Sequence, residues 1–365
     1  MAVELAEIFR QCGPAYRQKY ADRIPTNHLQ AMRAIETCRT AALGGQVFVC
    51  PDCQEVQYSY HSCRNRHCPK CQCEKGQAWL EQQQAMLLPV PYFLLTFTLP
   101  AGLREVARHH QRIVYDLLFR LSAEATRQLA SDPQFVGGQI GLVGVLHTWG
   151  RNLSYHPHIH YLVPAGGLAK DGQRWLGTRY EFLVPVKALS KIFRAKMHQA
   201  LQKVGGDWSI PAEVWQRDWV VHCKPVGCGR QALKYLAPYI FRVAIGNKRI
   251  LAFENNQVTF LYRASDTGQE RRCTLRAEDF IHRFLQHVLP KGFVKVRYFG
   301  FFSAGSRKRL ERIQHLLGPA KESASPEEQV LETVSRSQPV HRCPVCGHPM
   351  QPGSLIPPTP GRGPP

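Results

Sequence analysis

The run HTWGRNLSYHPHIHYLV, residues 147–163, carries four histidines in fourteen positions, with His156, His158 and His160 at every second residue. A β-strand turns successive side chains to opposite faces, whereas a helix brings together residues three and four apart. The spacing therefore predicts a strand on which His158 and His160 share one face while Ile159 meets the opposite packing layer. Pro157 cannot donate to a ladder and marks the strand's start, leaving His156 at its mouth as a contact to substrate or to the ligands. His147 ends the preceding run GLVGVLH, so a hairpin through residues 149–157 would set it beside His158 or His160. Three imidazoles so arranged can hold one divalent ion and leave positions for a phosphate oxygen. A purely structural zinc site made by the same histidines is the plainer alternative.

Thirteen cysteines raise the question of redox state. Several sit in Cys-x-x-Cys pairs and no export signal precedes them, so they read as reduced, metal-binding thiols. Cys50 and Cys53 stand fourteen residues ahead of Cys68 and Cys71, close to the spacing of a tetrahedral zinc ribbon, and these four are the expected structural zinc ligands. Cys63 and His67 are further candidate ligands, as are Cys38, His61 and Cys73, for a second site or for substitution in the first. Near the carboxy terminus HRCPVCGHPM holds Cys343 and Cys346, half a site that His341 and His348 could complete as a small knuckle. A closed set of four thiolates has no open position for substrate, so the knot is expected to grip DNA rather than to react.

Between these motifs the apolar pattern alternates in kind. PYFLLTFTLP (91–100), GQIGLVGVLHT, HIHYLVPAGG and RDWVVHCK read as strands. Residues 102–130, KALSKIFRAKMHQALQKV, 231–243 and AEDFIHRFLQHVLP (to Pro290) read as helices. RILAFENNQVTFLYRAS is a hairpin turning at Asn255 and Asn256. The order predicts an α+β fold, an antiparallel sheet flanked by helices behind an amino-terminal zinc-binding domain. The expected division is 1–88 helical and zinc-binding, 89–315 catalytic, and 316–365 a Pro-, Ser- and Glu-rich tail, mostly disordered apart from its cysteine pair.

A formal charge of +20 points to a polyanionic partner, and nucleic acid is the first candidate. No apolar run approaches the roughly 18 residues of a spanning helix, and MAVELAEIFRQ has no basic-then-apolar leader, so no membrane partner is expected. The expected location is cytoplasmic, at the nucleoid. Arg64, Arg66 and Lys70 in the knot, and Arg151, Arg242, Lys248 and Arg249 near the later motifs, are the candidate phosphate contacts. Trp149, Tyr155 and Tyr161 are available to stack bases of a single strand.

SCRNRHCPKC, FLLTFTLP, LHTWGRNLSYHPHIHYLVPAGG and KYLAPYIFRVAIGNKRI, in that order, resemble the transposases of the insertion-sequence-91 family. These are members of the His-hydrophobe-His (HUH) endonuclease superfamily, and the resemblance runs from about residue 20 to 310. It implies a metal-dependent tyrosine nuclease and strand transferase that nicks single-stranded transposon ends through a 5′-phosphotyrosine and moves by a rolling-circle-like route into target DNA. It also implies that Mg²⁺ or Mn²⁺ is the catalytic ion, held by His147, His158 and His160, with Zn²⁺ structural. Tyr235 and Tyr239 match the family's tyrosine pair; four apart, they share a helix face. Pro238 between them departs from the family pattern, and a proline kink there would make the two hydroxyls inequivalent; Tyr239, followed by Ile240, Phe241 and Arg242, is ranked first nucleophile by similarity to relatives with a single tyrosine. A non-catalytic zinc protein that binds DNA and regulates an element is the alternative. A conjugative relaxase would need domains for which this length leaves no room, and no acidic nuclease triad is grouped on a strand pattern.

Overall fold

The computed structural model describes residues 3–71, 86–179, 181–206, 208–228, 231, 243–264, 267–318 and 341–359. Helices α1 (Leu5–Lys19) and α2 (Thr26–Thr37) lead into a hairpin of β1 (Gly45–Val49) and β2 (Val56–Tyr60). After β3 (Pro91–Thr98), the helix expected over 102–130 is two, α3 (Arg104–His109) and α4 (Gln111–Ala130), divided where His110 leaves helical geometry at φ −123° and ψ 44°. Next come β4 (Leu142–Trp149), β5 (Tyr155–Pro164), the short ribbon β6 (Gly166–Leu168) and β7 (Trp175–Gly177), α5 (Val186–Val204), the turn α6 (Glu213–Gln216) and β8 (Val221–Cys228). Then follow β9 (Ile250–Glu254), β10 (Gln257–Arg263), β11 (Glu270–Arg276), α7 (Ala277–Leu285), β12 (Val296–Phe299), α8 (Arg307–Leu317) and β13 (Gln351–Ile356). The helix expected over 231–243 lies outside the described residues apart from its two ends.

The central sheet has the order β12-β4-β5-β3-β8, antiparallel throughout. Its two faces follow from the period of two. Phe93, Leu95 and Phe97 of β3 and Ile159, Tyr161 and Val163 of β5 join Phe119 of α4 and Phe193 and Met197 of α5 in the largest core. A fully buried side chain of this size contributes roughly 1.5–3 kcal/mol, so this layer fixes which face of each strand points inward. Gly144 of β4 is a close-approach position: a Cβ there would meet the Tyr161 ring at 2.5 Å.

On the opposite face the cover is partial. Leu94, Val143, Val145 and Leu162 pack against Phe301, Phe302 and the α8 residues Leu310 and Ile313. Further along the same strands this face carries Thr96, His160, His158 and His147, beyond the α8 packing cluster. The site expected from the sequence therefore sits on the part of the sheet that no helix of this core takes up.

A second core joins α1, α2, α7 and the β9–β11 sheet, with Phe9 edge-on to Phe284 at 5.4 Å and Val258 and Phe260 beside them. Asn255 and Asn256 turn the β9–β10 hairpin at φ +50° and +59°, the left-handed pair a two-residue turn requires. The third strand, β11, was not legible because ERRCTLR is nearly all exposed. Helix α7 ends at Leu285, before the expected stop at Pro290.

The tail departs from expectation. Residues 341–359 return to the amino-terminal hairpin, where β13 pairs antiparallel with β1 from Gly45↔Ile356 to Val49↔Gln351, making the sheet β13-β1-β2. Local composition argued for disorder, but the pairing partner lies some three hundred residues away in sequence, which no local pattern reports. Among the described residues no helix is long and apolar enough to cross a membrane.

Two buried rings link this architecture to pH. His287 donates from Nε2 to the Leu153 carbonyl (3.2 Å) and accepts at Nδ1 from Thr148 Oγ1 (3.3 Å), while His67 Nε2 accepts the Leu289 N–H at 3.3 Å. Burial pushes the first down to about 4 and the second to about 3. Below the ordinary value near 6.5 the unfolded chain takes up protons that the folded chain refuses, so stability falls as pH falls, by up to ~1.4 kcal/mol per pH unit for each group. Urea titrations at pH 7 and pH 5 are expected to show a larger loss on acidification for the wild type than for His287→Gln; equal losses would mean that burial of this ring is not linked to folding.

Candidate active site

Strands β4 and β5 are paired so that His147 lies directly across from His158, and β5 is paired to β3 so that His158 meets Thr98 and His160 meets Thr96. Ring centroids are 5.4 Å apart for His147 and His158, 5.1 Å for His147 and His160, and 4.8 Å for His158 and His160. One nitrogen of each comes within 4.8 Å of the others. Along β5 the part-exposed positions 156, 158 and 160 alternate with buried 155, 157 and 159, the parity the sequence required.

The surroundings set each ring's proton. His158 Nδ1 donates to the His156 carbonyl at 2.7 Å, and His160 Nδ1 lies 2.9 Å from Thr96 Oγ1, which leaves Nε2 of both as lone-pair donors when Nδ1 carries the hydrogen. Burial holds the pKa of His158 down to about 4, and burial, then the charges of His158 and Lys224, holds His160 down to about 3. Both rings are neutral at pH 7, the state that ligates a metal. Three such nitrogens suit a divalent ion with open positions. His156 stands outside the trio; its Nδ1 receives Arg104 Nη2 at 2.8 Å, and burial lowers its pKa.

A groove of about 890 Å³ opens over the three rings, lined also by Trp149, Arg151, Lys248, Arg249 and Arg263. Trp149 stacks on His147 at 4.8 Å, and Lys295 Nζ lies 5.0 Å over the indole. Burial, then the charge of Arg66, pushes the pKa of Lys295 down to about 7. Sequence reasoning missed Thr96, Arg104, Arg263 and Lys295, since none stands in a motif. The His–Thr pairing arises from cross-strand register alone.

Several expected phosphate contacts have structural work. Arg249 donates to the Leu261 and Arg151 carbonyls (2.8 and 2.7 Å), and Arg151 to the Ala264 carbonyl at 2.9 Å, so this pair braces the β4–β5 loop against the β9–β10 ribbon. Arg66 donates to the Phe293 carbonyl at 2.6 Å and Lys70 pairs with Glu4 at 2.7 Å. Arg64 and Lys248 are exposed, and Lys248 lines the groove. Tyr155 and Tyr161 are unavailable for stacking: both are buried, with their hydroxyls against the Tyr115 hydroxyl (2.5 Å) and the Phe119 carbonyl (2.9 Å). Tyr235, Tyr239 and Arg242 lie outside the described residues.

The cysteines divide differently from the sequence expectation. Cys38, Cys63, Cys68 and Cys71 form one quartet, and Cys50, Cys53, Cys343 and Cys346 form another. Cys50 and Cys53 sit in the turn of the β1–β2 hairpin, while Cys63, Cys68 and Cys71 follow its base. Five residues of strand span about 16 Å, so the two pairs cannot share an ion. In the first quartet Cys71 Sγ lies 3.5 Å from both Cys38 and Cys63 Sγ. A tetrahedron with Zn–S of 2.3 Å has edges of about 3.8 Å, which these separations approach. His67, expected as an extra ligand, is occupied by the Leu289 N–H, and His61 joins neither quartet.

Comparison with known proteins places a zinc-binding domain ahead of a transposase region. Residues 8–99 match the family model of a transposase zinc-binding domain, and residues 141–309 match that of a putative transposase. The class is therefore a transposase with an amino-terminal zinc-binding domain. The chain is 39% identical over 371 aligned positions to the putative transposase y4qJ of Sinorhizobium fredii, covering 94% of this chain and 92% of that one. It is 29% identical over 284 positions to the transposase for insertion sequence element IS801 of Pseudomonas savastanoi pv. phaseolicola, covering 73% and 68%. The chain belongs to the insertion-sequence-91 family of transposases. No solved structure matches it.

Removing a thiol from the first quartet leaves three ligands and an unfilled coordination position beside α1 and α2. Cys63→Ser is expected to lower the zinc content measured by atomic emission and to lower the thermal midpoint; an unchanged zinc content would remove Cys63 from the ligand set.

Proposed function

We propose that this transposase is a metal-dependent tyrosine endonuclease and strand transferase acting on single-stranded transposon ends. The observation that carries the reading is the convergence of His147, His158 and His160 in one cation-lined groove. These three would hold Mg²⁺ or Mn²⁺, which when bound withdraws charge from the scissile phosphate and favours attack on it.

In this reading the phenol oxygen of Tyr239 attacks phosphorus, its proton passing to solvent or a nearby base. The new O–P bond replaces the bond to the 3′ oxygen, which leaves as a hydroxyl, and the 5′-phosphotyrosyl link conserves the phosphodiester for transfer to a second strand without ATP. Tyr235 would serve a second transfer. Thr96 orients His160, and Arg104 orients His156 at the groove's mouth. Lys248 and Arg263, exposed along the groove, suit the phosphates of a single strand laid over the rings. The quartet Cys38, Cys63, Cys68 and Cys71 would hold structural zinc and shape the amino-terminal domain for DNA, with Arg64 exposed beside it.

Incubation of the full chain with labelled single-stranded element ends and Mn²⁺ is expected to give an adduct that survives SDS. Tyr239→Phe and His160→Ala should abolish it, and Thr96→Val should reduce its rate roughly 10- to 100-fold, the usual effect of losing a ligand's orienting partner. DNA binding without adduct under any divalent metal would instead identify a non-catalytic regulator.

A further inference from the structure

The second cysteine quartet joins the two ends of the chain. We infer that Cys50, Cys53, Cys343 and Cys346 bind a second zinc ion, a clasp that holds the carboxy-terminal strand on the amino-terminal sheet. Cys50 and Cys346 Sγ lie 3.4 Å apart, Cys53 and Cys343 3.4 Å, and Cys53 and Cys346 3.6 Å. These are edges of a sulfur tetrahedron around zinc and well beyond the ~2.05 Å of a disulfide.

The two halves are built alike. Both read Cys-Pro-x-Cys, in CPDCQE and CPVCGH. In each, the residue after the second cysteine is left-handed, Gln54 at φ +58° and Gly347 at +76°. Each returns its N–H to the carbonyl of the first cysteine, at 3.1 Å for Gln54 to Cys50 and 2.9 Å for Gly347 to Cys343. The first cysteine's own N–H closes the loop on the next carbonyl, Cys50 to Glu55 at 2.9 Å and Cys343 to His348 at 2.8 Å. Two matching knuckles meet face to face, tied at the rim by Asp52 and His348 (2.9 Å).

Beyond its backbone pairing with β1, the strand has little side-chain packing to hold it. β13 is exposed at all but one of its positions, and the apolar cluster beneath it is Cys50, Cys343 and Met350 with Phe48 packed against them. Such a strand added to a two-stranded ribbon is marginal by itself, and a metal supplies the missing stabilisation. On binding, the four thiols release their protons to solvent and no group is oxidised.

Full-length protein purified under reducing conditions is expected to carry about two zinc ions, one per quartet. Cys50→Ser and Cys346→Ser should each reduce this to about one and should both abolish hydrogen-exchange protection at residues 351–356. Cys346→His, which restores a ligand, should regain the ion and the protection. The inference is overturned if Cys346→Ser retains the full zinc content, if protection at 351–356 survives the loss of either knuckle, or if non-reducing peptide mapping finds these cysteines as disulfides. Adduct formation is not a readout of this test, so it stands or falls apart from the proposed nuclease activity.

Discussion

The register of β5 between β4 and β3 is the constraint on which the site depends. Because side chains alternate, a slip of one residue would drive His158 and His160 into the helix-packed core and turn Ile159 and Tyr161 outward. The slip is resisted by what lies on the other face: Ile159 and Tyr161 are fully buried, and the Tyr161 hydroxyl is bonded to the Phe119 carbonyl of α4. Core packing on one side thus aims the imidazoles on the other. Gly144 belongs to the same device, since its missing Cβ admits the Tyr161 ring.

The amino-terminal and carboxy-terminal parts of the central sheet's surroundings are tied to this centre through the β4–β5 loop. Leu153, left-handed at φ +62° and fully buried, plugs the second core, its carbonyl accepts a hydrogen bond from His287 Nε2, and Arg249 holds the Arg151 carbonyl beside it. The loop that follows His147 is therefore anchored from α7 and from the β9–β10 ribbon rather than left to solvent. Arg66, Arg151 and Arg249, which a sequence reading assigns to phosphate, are bonded here to backbone carbonyls, while Lys248 and Arg263 stay exposed along the groove.

Much of this was legible in the residues. The period-two histidines, the apolar run before His147 and the paired asparagines at 255 and 256 each encode local geometry, and local geometry is what sequence patterns report. Family resemblance supplied the rest of the class assignment. What could not be read was set by contacts between distant residues. Two Cys-x-x-Cys pairs fourteen residues apart look like one zinc ribbon, but the strands between them carry the pairs to opposite ends of a hairpin. Thr96 is an ordinary strand threonine until β3 is laid beside His160. The tail's composition resembles disorder because its strand buries almost nothing of its own and finds its partner in β1.

That pairing has a consequence for how the molecule is made. β1 leaves the ribosome about three hundred residues before the strand that covers its outer edge. Until then the hairpin presents an open edge of unpaired backbone groups, the feature through which nascent chains stick to one another. A chain cut short after the histidine cluster but before residue 351 would keep those strands and lose this cover, leaving the amino-terminal sheet with an open edge through which copies can associate.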